Sequence, residues 1–131
     1  MIAYVMVGTN NLESAVKFYD QLMPKMNMIR VELSNDFAAY SLLNKPENIE
    51  FYITKPFDGN QANFGNGTMI AFSVETTEIV ANCHRAGIDA GGKDEGAPGF
   101  DLRMEIYTMP MFEISTETNS VSYMTKGVHD D

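Results

Sequence analysis

The chain has 131 residues, 44% hydrophobic and 11% aromatic, which is enough apolar surface to fold as one domain and too much for a disordered chain. Its 18 acidic against 9 basic side chains leave a formal charge of −9, which repels phosphate backbones and argues against a nucleic-acid partner. No run approaches the ~20 apolar residues of a membrane span, Met1–Val7 lacks the basic start and length of a signal peptide, and the single cysteine, Cys83, cannot close an intrachain disulfide, so a cytoplasmic setting is expected.

Ile2–Val7 reads as a strand that stops at the polar turn Gly8-Thr9-Asn10-Asn11. Asn10 is placed to cap a helix, with Glu13 three residues on in the capping-box position. Leu12, Ala15, Val16, Tyr19, Leu22 and Met23 then recur at helical spacing and give one apolar face, until Pro24 ends the pattern. Met28–Leu33 and Phe37–Leu43 flank Ser34-Asn35-Asp36, a turn of the kind that joins hairpin strands. Ile49–Thr54 alternates with period two, which predicts Ile49, Phe51 and Ile53 toward the helices and Glu50, Tyr52 and Thr54 on the opposite face. Residues 1–55 thus read β-α-β-β-β.

After a linker rich in Gly, Asn and Pro, the rhythm restarts. Thr68–Val74 reads as a strand, and Thr76 caps a helix whose inner face is Ile79, Val80, Cys83 and Ala86. Gly91-Gly92 closes that helix, 93–101 reads as a Gly/Pro-rich loop, and strands follow within Met104–Ile114 and Ser120–Thr125, the former interrupted by Pro110. A second module over 68–126 repeats the first. Tyr4 falls over Met69, an offset of 65, and Glu50 over Ser122, an offset of 72; the seven extra residues fit within the loop at 93–101.

Two segments carry a family likeness. The run from Gly8 to Asp20, with its Phe18-Tyr19 pair, looks like the opening of many glyoxalase-like proteins, and His84–Gly99 is similar to the second-module helix end and loop of one large subfamily. With the module rhythm, the chain resembles the vicinal oxygen chelate superfamily of glyoxalase, bleomycin-resistance and extradiol-dioxygenase proteins, across nearly all of its length. The resemblance implies one α+β domain over 1–131, in which two βαβββ modules form a curled mixed sheet, a cup with helices on its convex face. It also implies a homodimer.

In that superfamily a metal sits in the cup, held by His on the first strand of a module and Glu on the last. Here the matching positions are Tyr4, Met69, Glu50 and Ser122. Only one is a carboxylate and none is His, so no metal and no other cofactor is expected. Phase matching extends the cup lining to Met6, Tyr52 and Met124, a neutral, methionine-bearing surface that suits either a small-molecule ligand or an ordinary collapsed core. Glu50 is the candidate catalytic residue: in a partly apolar pocket it would serve as a general base, and on a rim it would simply face water. His84 and Cys83, on the second helix, read as a flanking residue and a small buried hydrophobe. The functional expectation is a metal-independent small-molecule-binding protein. The alternatives are a metal-dependent lyase or dioxygenase drawing ligands from His84, Glu50, Glu105 and Glu113, or metal-free acid–base catalysis with Glu50 as base and Tyr4 as proton donor.

Overall fold

The computed structural model describes residues 1–63, 70–93, 99–101, 106–108, 113–114 and 123–127. Strand β1 (Val5–Gly8) leads into helix α1 (Leu12–Leu22), a short 3₁₀ turn (Met23–Met26), and then β2 (Met28–Leu33), β3 (Phe37–Leu42) and β4 (Ile49–Thr54). The second half runs β5 (Ile70–Val74), α2 (Thr77–Asp89), β6 (Gly92–Lys93), β7 (Gly99–Asp101), β8 (Ile106–Thr108), β9 (Glu113–Ile114) and β10 (Tyr123–Gly127).

The first sheet has the order β1-β4-β3-β2, with β1 parallel to β4 and the other pairs antiparallel. The second has the order β5-β10-β8-β7, with β5 parallel to β10 and the rest antiparallel. The two sheets therefore share one topology, each a parallel crossover through a helix followed by a meander. Their registers match as well. Val5 lies opposite Phe51 and Ile70 opposite Tyr123, so the two pairs are related by 65 residues (70 − 5) on the first strand and 72 (123 − 51) on the last. These are the offsets expected from the sequence. What the sequence hid is β7: Gly99–Asp101 lies inside the segment read as loop, yet it pairs with β8 and completes the second sheet. The strand expected over Met104–Ile114 is also divided, with β8 in the second sheet and β9 paired to β6 in a separate two-stranded ribbon.

Helix α1 begins one residue later than expected. Its N-cap is Asn11, whose side chain accepts from the Ser14 amide at 3.0 Å. Asn10 is drawn elsewhere: its Nδ2 donates to the Ala62 carbonyl at 3.2 Å and its Oδ1 accepts from the Ala62 amide at 2.7 Å. One side-chain amide thereby pairs with a backbone 52 residues away and pins the connection after β4 to the β1–α1 turn. Gly8 makes room for it, since a Cβ there would stand 3.2 Å from the Ala62 Cβ. Helix α2 is capped by Thr76 as expected, its hydroxyl accepting from Ile79, and it ends before Gly91, which takes the left-handed φ of +100°.

Helix α1 packs on the first sheet, α2 packs on β5 and β10 of the second, and the two helices pack against each other. Tyr19, Leu22 and Met23 meet Tyr40, Phe51 and Ile53 from the sheet and Val80 and Cys83 from α2, all fully buried or nearly so. Phe51 is central: its ring lies 5.3 Å from Tyr19 and 5.5 Å from Phe72 on β5, joining the two halves. Burying a side chain of this size stabilises by about 1.5–3 kcal/mol. Beside this core Tyr40 donates its hydroxyl to Asp20 at 2.9 Å, and Arg30 Nε grips both Asp20 oxygens at 3.1 and 3.3 Å, tying α1 to β2 and β3. Burial and the Asp20 carboxylate push the Tyr40 phenol far above its ordinary pKa, so it stays a donor.

Candidate functional site

The face of the first sheet turned away from the helices is set by strand alternation. Val7, Ala38, Tyr40, Phe51 and Ile53 enter the core, so their neighbours Met6, Ala39 and Tyr52 point the other way. Met6 lies opposite Tyr52, and Tyr52 opposite Ala39. Tyr4 and Glu50 each precede the Val5–Phe51 pair by one residue, Tyr4 just ahead of β1 and Glu50 within β4. Tyr4 and Met6 remain 54% and 52% exposed, while Glu50 and Tyr52 are half-buried.

Two bulges reshape this face. Between β2 and β3 the register slips past Val31, so that Glu32 comes opposite Ala39. Between β3 and β4 it slips at Glu50, which leaves Ile49 opposite Ser41 rather than beside Phe51 in the core. The expectation that Ile49 faces the helices is thus corrected: it sits half-buried on the Ser41 side and takes no part in the core cluster. Strict alternation could not foresee this, because an extra residue in one strand inverts the faces beyond it.

The result is a chemically mixed surface. Tyr4 and Tyr52 meet edge to face, with ring centroids 5.1 Å apart at 70°, and Phe37 leans on Tyr52 at 5.9 Å and 60°. Phe37 belongs to the face but escaped sequence reasoning; its position two residues before Ala39 on β3 is the signal that finds it. Ala39 and Ser41 form the floor and are fully buried. Among the described residues the Ser41 hydroxyl has no hydrogen-bond partner, an unusual state for a buried polar group. Glu32 and Glu50 supply carboxylates.

Of the other expected lining residues, Met124 falls in β10 opposite Ala71, whereas Met69 and Ser122 lie outside the described residues. Glu105 is also outside them. His84 sits on α2, which packs against α1, β5 and β10, whereas Glu50 is on β4 of the first sheet. Among the described residues, no three His, Cys, Asp or Glu side chains gather where they could hold one metal ion. Cys83 is buried, and desolvation pushes its thiol up to about 12, as suits an inert core residue.

An open groove of about 760 Å³ runs between the start of α1 and the β2–β3 turn, lined by Leu12, Val16, Leu33 and several polar residues. Its two lysines are already engaged, Lys17 with Glu13 at 3.0 Å and Lys55 with Asp36 at 3.9 Å. None of the expected site residues borders it.

No family model matches the sequence, and no curated protein does. Solved structures match along almost the full length. A glyoxalase/bleomycin resistance protein from Albidiferax ferrireducens T118 superposes with a TM-score of 0.82 at 28% identity, covering 97% of this chain and 98% of that one. A glyoxalase/bleomycin resistance protein/dioxygenase family enzyme from Burkholderia phytofirmans PsJN gives 0.71 at 17%, covering 98% of both chains. A glyoxalase-related enzyme from Fulvimarina pelagi gives 0.73 at 12%, covering 98% of this chain and 88% of that one.

Proposed function

We propose, from a fold shared over its whole length with glyoxalase/bleomycin resistance proteins of the vicinal oxygen chelate type, that this chain binds a small molecule without a metal. The observation that carries the reading is the helix-free face of the first sheet. It holds Tyr4 and Met6 half out in solvent, two aromatic contacts and the half-buried Glu50 carboxylate. Apolar surface beside a few convergent polar groups is the usual composition of a ligand site.

The residues at the superfamily's metal positions do not fit a divalent ion. Tyr4, Glu50, Met69 and Ser122 offer one carboxylate, one phenol, a thioether and a serine hydroxyl. A catalytic zinc or iron site is commonly built on imidazole and carboxylate together, and a phenol must first lose its proton. In this reading Tyr4, Met6, Glu50 and Tyr52 contact the ligand, Met69, Ser122 and Met124 contribute from the second module, and two copies of the chain form a homodimer.

The test is thermal unfolding of the chelator-treated protein against a panel of aromatic and aliphatic small molecules. A ligand at 100 times its Kd adds about 2.7 kcal/mol, a rise in Tm of several degrees that should vanish in Tyr52→Leu. If no compound raises Tm, the proposal fails. A second reading rests on the places of Tyr4 and Glu50, each one residue before the Val5–Phe51 pair: metal-free acid–base catalysis, with Glu50 as base and Tyr4 as proton donor. Glu50→Gln would then abolish turnover while leaving binding nearly intact.

A further inference from the structure

The geometry points to an organic cation, an alkylated ammonium, as the ligand of the helix-free face. This rests on the small-molecule reading above and narrows it to a chemical class. Three aromatic rings line the face in a connected series. Tyr4 stands nearly perpendicular to Tyr52 at 5.1 Å, and Phe37 is tilted against Tyr52 at 5.9 Å. Non-parallel rings form the walls of a box rather than a flat stack, and a cation held against such walls is attracted by the negative face of each ring it covers. Alkyl groups on the nitrogen spread the charge and weaken its hydration, so little is lost when water leaves.

The charges around the rings have the matching sign. Glu50 lies two residues from Tyr52 on β4, and Glu32 lies opposite Ala39, itself the partner of Tyr52. Three of the described basic residues are engaged elsewhere: Arg30 is bound to Asp20 on the helix side, Lys17 to Glu13 on α1, and Lys55 lies near Asp36 beyond the end of β4. An anionic ligand would be repelled by the two carboxylates. A cation would meet both, and the formal charge of −9 steers it inward. Met6 adds a polarizable wall for the alkyl groups.

The experiment compares two probes of one shape that differ in charge, choline and 3,3-dimethyl-1-butanol, by amide-resolved NMR titration of the full chain at low salt. Choline should bind at least about tenfold more tightly, moving the Tyr4, Tyr52 and Glu50 amides, with the preference set by ring and carboxylate contacts. The preference should shrink several-fold in Tyr52→Leu and in Glu50→Gln and persist in Tyr4→Phe, which keeps the ring. Glu50→Gln alters a half-buried carboxylate outside the core, so it reports even if Tyr52→Leu unfolds. Equal affinity for the two probes, or binding of the neutral alcohol alone at these amides, would overturn the cation and leave the small-molecule site standing. No perturbation of the face by either probe, with no stabilising compound in the thermal panel, would overturn both.

Discussion

Replacing Ser41 with alanine should make the protein more stable. The side chain is 0% exposed, and among the described residues its hydroxyl has no hydrogen-bond partner. Folding therefore strips water from this group without compensation, at a cost of about 1–3 kcal/mol. Alanine removes the oxygen and leaves a void of a single atom, and its slightly poorer strand preference costs a few tenths. The net expectation is a gain of about 1 kcal/mol, which for a domain of this size raises Tm by roughly 3–6 °C. Urea unfolding followed by far-ultraviolet circular dichroism measures this directly, and an unchanged slope against denaturant would show that the unfolded state is not the cause. A loss of stability would refute the reasoning, because it would mean that the hydroxyl has a partner in solution.

Tyr40→Phe keeps the buried ring but deletes the hydrogen bond to the Asp20 carboxylate, so stability should fall by about 1.5–2 kcal/mol in urea unfolding. Alkali should unfold the protein progressively from about pH 9. The Cys83 thiol ionises near 8.5 in an open chain but is held up to about 12 in the fold, so the unfolded state loses its proton first and stability, complete below pH 8.5, declines as pH rises toward 12. Tyr19 and Tyr40, both raised by burial, add to the loss above pH 10, and Cys83→Ala should remove the earliest part, a slope of about 1.4 kcal/mol per pH unit. Asn10→Ala should release the Ala62 amide, so its hydrogen exchange should quicken by up to about tenfold while amides in α1 change little.

Where the sequence was a good guide, local pattern and global fold agreed. Ile49–Thr54 was readable to the residue because strong alternation, β-branched residues and Asn-Lys-Pro ahead of it all favour a strand. The internal repeat was readable because two pairs of positions, Val5 with Phe51 and Ile70 with Tyr123, occupy equivalent registers. Misreadings arose where a distant partner decided the outcome. Asn10 and Asn11 are equivalent caps on local grounds, and Ala62 decides between them. Gly99–Asp101 is a strand only because β8 lies beside it. Ile49 changes face because Glu50 is bulged against β3. Tyr4, Met6, Glu50 and Tyr52 could be grouped from alternation alone, whereas Phe37 and Ser41 needed the β3–β4 register before they could join the same surface.

Metal analysis of the purified protein decides whether the proposed site works without a metal. The chain would be exposed in turn to Zn, Mn, Ni and Fe(II), freed of excess ion, and assayed for bound metal and for Tm. The account predicts well below one ion per chain and no rise in Tm, with the thermal response to small molecules unchanged by chelator. One tightly held ion per chain, lost together with stability in Glu50→Gln, would contradict it and place a metal-dependent reaction at this face.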